Sequence, residues 1–310
     1  MSLHIFGAVL THHGTAANNR AETDGNITTL QKLLWKGRVH TSVSAEAIRF
    51  ALRRRLAESE ETNRYWDETS RVNEWRDHTF SRYAEGKPFI DDDLLGFMSA
   101  EAAKEDASDT GETEGTGKGK AKKKGTANIR RAVLEVTRAV SLIPFGGDVT
   151  FNAASPGATP SAAKVAKSPV PYGTEVHATR YQYGFALTPG ALVTPSRAAV
   201  AIRALCALGE VAGNHGRFLY DFSPESIVLR VTHDPAPRIL YVFQETKSGI
   251  DVDELVHRVE SGDVPGEELI LGGLLTRLPA AERLKQLGAI LEPGVRKAAE
   301  IVCERMAKGD

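Results

Sequence analysis

Cysteine is nearly missing from this chain. Cys206 and Cys303 stand far apart in helical surroundings, which excludes a disulfide-stapled scaffold and any cysteine-based metal motif. Two buried thiols are expected instead. No apolar stretch approaches the ~20 residues of a membrane-spanning helix. The opening MSLHIFGAVL reads as a strand, without the charged start or cleavage site of an export signal, so the cytoplasm is expected. Net charge is also lacking: 39 Lys and Arg against 40 Asp and Glu leave −1 and a pI near 6.8. That balance argues against a bulk cationic coat for nucleic acid but permits a local groove. No Walker A loop, HExxH or compact Ser/His/Asp grouping occurs, and neither a metal nor a cofactor is expected.

What is present is organised around His4 to Leu56. Ile5 and Val9 alternate with Phe6, Ala8 and Leu10, which predicts a strand buried on both faces and stopping at Thr11-His12-His13-Gly14. From there to Ser44 the residues predict a polar, Asn-rich loop. Its donors, among them Asn18, Asn19, Arg20, Lys32, Arg38, His40 and Ser42, suit phosphates and sugars. A helix follows, with Ile48, Ala51, Leu52 and Leu56 on one face, Glu46, Arg49 and Arg53 on the other, and Ser44 as N-cap. Free N–H groups at that helix start, beside Arg38 and His40, make an anion site on physical grounds. The competing reading is an ordinary capped helix with Glu46 paired to Arg49.

The stretch GAVLTHHGTAANNRAETDGNITTLQKLLWKGRVHTSVSAEAIRFALR closely resembles the amino-terminal signature of the DevR-like CRISPR-associated family, the repeated backbone subunit ("Cas seven") of type I-B Cascade surveillance complexes. FIDDDLLGFM at Phe89 to Met98, PVPYGTEVHATRYQYGFAL at Pro169 to Leu187 and GNHGRFLYDFSPESIVLR at Gly213 to Arg230 agree with it. The resemblance implies an α+β fold: a ferredoxin-like, RRM-related palm carrying a helical finger insertion and a thumb β-hairpin or loop. It also implies the partners: a CRISPR RNA, target DNA paired with that guide, copies of the chain itself, and other Cascade subunits. On this basis residues 1–60, 128–143 and 174–250 form the palm. Residues 61–127 form the finger, 144–173 the thumb and 251–310 a carboxy-terminal cover.

The remaining chain fits that plan by its own patterns. Trp66, Trp75, Tyr65, Phe80 and Tyr83 lie among acids and arginines, read as a helical finger, and Asp91-Asp92-Asp93 is read as helix capping rather than a metal site. Residues 99–127 lack apolar periodicity and pass from acids to lysines, which predicts a mobile segment. Arg131 to Ile143 reads as the second palm strand. Thumb candidates are Lys164, Lys167, Val170 and Tyr172. His177 to Leu187 alternates at period two, with Arg180 and Gln182 expected on an open face. Thr194-Pro195 opens a helix, and Arg217 to Phe222, Ile227 to Thr232 and Ile239 to Phe243 read as strands. In the loop between helix and strand, Asn214, His215 and Arg217 offer an amide, an imidazole and a guanidinium to RNA.

Two functions are weighed. One is a non-catalytic guide-binding subunit that grips the RNA backbone, since the closely spaced aromatics of an RNP motif are lacking. The other is a metal-independent repeat-RNA endoribonuclease using His12, His13, His40, His177 or His215. His12 and His13 are neighbours, so on an extended chain they point to opposite sides and cannot serve one scissile phosphate.

Overall fold

The computed structural model describes residues 1–17, 22–99, 128–156, 170–212, 219–247 and 249–308. The chain opens with β1 (His4–Thr11), buried along nearly its whole length as its two-sided apolar pattern demands. The stretch expected to be a loop is instead a series of strands: β2 (Gly14–Ala16), β3 (Thr23–Asp24), β4 (Ile27–Thr28), β5 (Lys32–Trp35) and β6 (Arg38–Val43). Lys36 and Gly37 both have positive φ, 48° and 77°, and close the β5–β6 hairpin as a two-residue turn matched to strand twist. α1 (Ala45–Leu56) buries Ile48, Ala51, Leu52 and Leu56, and the Ala47 N–H donates to Ser44 Oγ at 3.2 Å, so the N-cap forms as expected.

The next region departs from a helical finger. It begins as the hairpin β7 (Arg64–Asp67) and β8 (Val72–Trp75), followed by two short helices, α2 (Ser81–Ala84) and α3 (Ile90–Leu95). β9 (Phe97–Ser99) pairs with β10 (Asn128–Arg130), and the expected mobile segment falls almost wholly outside the described residues. The predicted single strand at Arg131 to Ile143 is two, β11 (Leu134–Val136) and β12 (Ala139–Ser141), broken at Thr137-Arg138. β13 (Val149–Ala154) and β14 (Val170–Glu175) pair as a hairpin, and β14 also runs parallel to β4.

The period-two run divides into β15 (His177–Thr179) and β16 (Tyr181–Leu187). α4 (Arg197–Leu205) starts a few residues after the predicted Thr194 and buries Ala198, Ala201, Ile202 and Leu205. β17 (Pro224–Thr232) forms as predicted. The described part of 217–222 and the whole of 239–243 are not strands, although Ile239, Val242 and Phe243 are buried. The hairpin β18 (Gln244–Thr246) and β19 (Gly249–Asp251) leads to α5 (Asp253–Glu260), β20 (Leu269–Gly273), α6 (Pro279–Gln286), β21 (Ile290–Glu292) and α7 (Val295–Lys308).

One nine-stranded sheet joins these elements in the order β21-β20-β17-β1-β16-β12-β6-β5, with β11 also on β16. All its ladders are antiparallel except β20–β21. Its two faces are both covered. Ile5, Val9, Tyr183 and Phe185 pack against α1, α4 and α7, while Phe6, Ala8, Leu10 and Val228 pack against 239–243, α5 and α6. Two glycines permit this closeness: a Cβ on Gly7 would lie 2.1 Å from the Phe185 ring, and one on Gly184 would lie 2.3 Å from Leu240. Gln182 therefore does not face solvent. It is buried, and its amide donates to the Phe243 carbonyl at 3.1 Å. No described helix is long and apolar enough to cross a membrane.

Candidate nucleic-acid interface

Several residues predicted to meet RNA are already engaged. His40 Nδ1 lies 2.8 Å from the Ser141 carbonyl, Arg138 donates to Ser42 Oγ at 3.2 Å, and both strand residues are buried at the β6–β12 seam. Thr41 Oγ1 sits between His177 Nδ1 at 2.7 Å and the Tyr181 hydroxyl at 2.9 Å. Burial, more than any neighbour, pulls His177 down to about 4, so its imidazole is neutral at ordinary pH. This buried knot ties β15 to β6 and β16. It is stitched across strands far apart in sequence.

Two arginines of α1, Arg49 and Arg53, are also taken. Arg53 Nε donates to Asp91 at 2.9 Å, and Arg49 donates to the Leu95 carbonyl, so both hold α3 against α1 rather than facing solvent at the helix start. Arg180 forms a fork on Glu225 at 2.6 and 3.3 Å, which cancels its charge and raises its pKa. Ser44 is taken up by the cap. Lys32 is bound to Glu175 at 2.6 Å, and that carboxylate also accepts from the Leu30 N–H at 2.7 Å.

The three aspartates do lie in the first turn of α3, yet they reach across rather than capping it. Asp91 accepts from the Asn63 and Arg64 N–H groups, and Asp92 from the Asn63 amide. Asp93 accepts from the Val193 and Thr194 N–H groups and from Arg197. They join hairpin β7–β8 to α4.

What stays open lies along the β5–β6 edge. Lys36 and Arg38 are exposed at the hairpin tip, Arg138 is exposed at the other end of β6, where Ala139 faces Val43, and Trp35 packs on Tyr241 at 4.9 Å. The Tyr241 hydroxyl donates to the Arg138 carbonyl at 2.8 Å, which ties that ring to the backbone just before β12. The Phe145 N–H donates to the Val39 carbonyl at 2.8 Å, which brings the start of the β13–β14 hairpin to the same edge. On that hairpin Phe151 is 79% exposed and Val149 49%. Val170 and Tyr172 are half-buried in its second strand, and Lys164 and Lys167 lie outside the described residues.

Asn18, Asn19 and Arg20, and likewise Asn214, His215 and Arg217, also lie outside the described residues, but their flanks meet. β2 pairs with β15, and Thr11 Oγ1 and the Tyr220 hydroxyl are 2.7 Å apart. Tyr220 in turn donates to the Thr179 carbonyl at 3.2 Å. Sequence reasoning counted Lys36 among the donors of the stretch before Ser44 but did not single out Trp35, Arg138, Phe151 or Tyr241. The Lys-Gly pair between two apolar-polar runs was the available signal for the hairpin.

Comparison with known proteins agrees with this architecture. The family model described as CRISPR-associated negative auto-regulator DevR/Csa2 matches residues 12–212. A protein of Myxococcus xanthus (strain DK1622), named CRISPR-associated protein Cas7/Cst2/DevR, is 59% identical over 99% of this chain and 98% of its own length. Two solved chains, from a CRISPR RNA-guided surveillance complex and from one in a pre-nicking state, superpose with TM-scores of 0.54. Each covers 97% of this chain, at 12% and 13% identity, and 98% and 99% of the solved chains, a likeness of fold alone. The chain belongs to the DevR/Csa2 family of CRISPR-associated proteins.

Proposed function

We propose that this chain is a non-catalytic CRISPR RNA-binding backbone subunit of a type I-B Cascade effector, stacking in copies along the guide and presenting it to target DNA in the cytoplasm. The observation that carries the reading is the family membership joined to the near full-length likeness to subunits of CRISPR RNA-guided surveillance complexes. The ferredoxin-like palm is supported by the central strand order β17-β1-β16-β12 with α1 and α4 packed on one face, the fourth, first, third and second strands of a split βαβ unit. In this reading β13–β14 is the thumb, with Phe151 and Val149 available to wedge beside a displaced base. Residues 61–127 are the finger.

The covered sheet explains why backbone gripping, rather than stacking on strand aromatics, is the mode. The face on which an RRM would stack bases is filled here by Val242, Phe243, Leu255 and Leu284. Guide contact falls to the exposed cations along β6, Lys36, Arg38 and Arg138, and to the donor residues Asn18 to Arg20 and Asn214 to Arg217. Against the endoribonuclease stands the state of two of its candidates, His177 and His40, and the separation of His12 from exposed His13 on an extended chain. His177 and His40 are buried in strand-to-strand bonds, and the ring nitrogens of His12 lie 3.9 Å from Asp221 and from Glu225.

The test is co-purification from cells expressing the neighbouring genes, followed by sequencing of the bound RNA. Uniform repeat-derived guides are expected. An RNA-free monomer, or RNA trimmed by the purified chain alone, overturns the reading.

A further inference from the structure

On the helix-bearing side of the molecule, a cavity of ≈ 540 Å³ lies between the outer face of α1 and the β7–β8 hairpin. It meets a second, of ≈ 440 Å³, at Arg53 and Arg64, which line both. Neither contains a residue of the β5–β6 edge. Their size suits a small ligand.

The walls alternate guanidinium and aromatic surface. Arg64 lies over the Trp75 ring at 4.8 Å and Arg76 over Tyr65 at 4.4 Å. In the hairpin register Arg64 faces Trp75 and Trp66 faces Asn73, so these four share one surface of the ribbon. Trp66 is 49% exposed and Phe50, across the groove on α1, is 43% exposed. These are large aromatic faces with nothing stacked on them among the described residues.

Charge sorts the arginines. Arg53 is neutralised by Asp91 and Arg76 by Glu61. Arg54 and Arg64 have no carboxylate within ion-pair distance among the described residues, and Arg64 Nε is buried without a partner. Burial, then repulsion from Arg53, holds the Arg64 guanidinium below its usual range, a cost that an incoming anion would relieve. Glu68 is the remaining acid of the cavity wall, so the local excess is a single positive charge, which fits one phosphate and not a triphosphate.

We propose that this groove is a nucleotide-binding site separate from the guide surface: Arg54 and Arg64 hold one phosphate, the base stacks on Trp66, and Asn73 meets its polar edge. The source is either a free mononucleotide or one residue of a single strand, which present the same chemistry. Arginine beside an open tryptophan is the arrangement by which proteins hold unpaired nucleotides without demanding a sequence. The inference does not depend on the guide reading.

The test uses the purified full chain, together with its guide where one is bound, and two probes, adenosine 5′-monophosphate and a fluorescein-labelled single-stranded oligothymidine dodecamer, read by tryptophan quenching and anisotropy. Trp66→Ala and Arg54→Ala are each expected to weaken binding by about tenfold, the order that a base stack or a phosphate contact supplies. Trp66→Phe restores the affinity to within about threefold. Guide retention and melting temperature stay unchanged. If the dodecamer binds and the monophosphate does not, the source is a strand; the reverse makes it a free nucleotide. Unaltered affinity in Trp66→Ala, or displacement of both probes by polyglutamate at equal charge, overturns the proposal, because either outcome leaves the aromatic wall idle.

Discussion

Asp92 shows how a single buried carboxylate couples this fold to pH. Desolvation, then the neighbouring Asp91, raises it to about 7, against an ordinary 3.8. Between those two values the folded chain holds a proton that the unfolded chain has lost. Stability from this group is therefore full below about pH 3.8 and falls as pH rises towards 7. Asp92→Asn keeps an oxygen for the Asn63 amide and removes the titration. It is expected to raise the melting temperature at pH 8 and leave it nearly unchanged at pH 4; equal shifts at both values would show that Asp92 does not titrate in this range. Arg53 is the contrasting case. Truncating it takes away the cation paired with Asp91, whose side chain is 1% exposed and keeps only the Asn63 and Arg64 N–H groups, so Arg53→Ala should cost about 3 kcal/mol. Arg54→Ala, one residue along, should stay within about 0.5 kcal/mol in chemical denaturation. The helical pattern of α1 made its buried side legible, because that depends on residues three and four apart. It could not show that Arg49 and Arg53 are already held by Leu95 and Asp91, since those partners lie 46 and 38 positions away.

At the scale of elements, the long strands β1 and β17 and the apolar sides of α1 and α4 were readable, for their periods run over eight or more residues. Three of the short strands between Gly14 and Val43 were not, because each is stabilised by a distant partner: β2 by β15, β4 by β14, β6 by β12. Donors such as His40 and Ser42 looked free for the same reason. The opposite error occurred at 239–243, where buried β-formers pack on the sheet without joining it. Hairpin β9–β10 carries an element-scale prediction. Ser99 and Asn128 are Cα partners at its last described rung, so replacing residues 100–127 with Asn-Gly supplies the two-residue turn that this register takes. The melting temperature should hold to within about 2 °C, since surface insertions off the core carry little stability. A drop several times larger would mean that the segment packs on the body.

The whole molecule is a sheet closed on both faces, and closure decides where nucleic acid can go. Composition hinted at this, since a chain of net charge −1 must gather its free cations locally. Only the packing shows which cations those are. Arg49, Arg53, Arg180 and Lys32 are taken up by the fold itself, whereas Lys36 and Arg38 at the β5–β6 tip and Arg138 beyond the other end of β6 stay exposed. Replacing those three with alanine should therefore weaken guide RNA binding for every guide sequence alike, and lower the slope of log K against log salt by about 0.7 for each phosphate no longer neutralised. The fold should be untouched, for Lys36 and Arg38 stand on the hairpin tip and Arg138 surrenders a single bond to Ser42. The companion variant, Arg180→Ala, removes a charge already cancelled by Glu225 and should leave the salt slope unchanged. Titrating guide RNA into both proteins at several salt concentrations separates the outcomes. If the triple variant keeps its slope, or loses affinity for some guide sequences only, the edge does not grip the backbone.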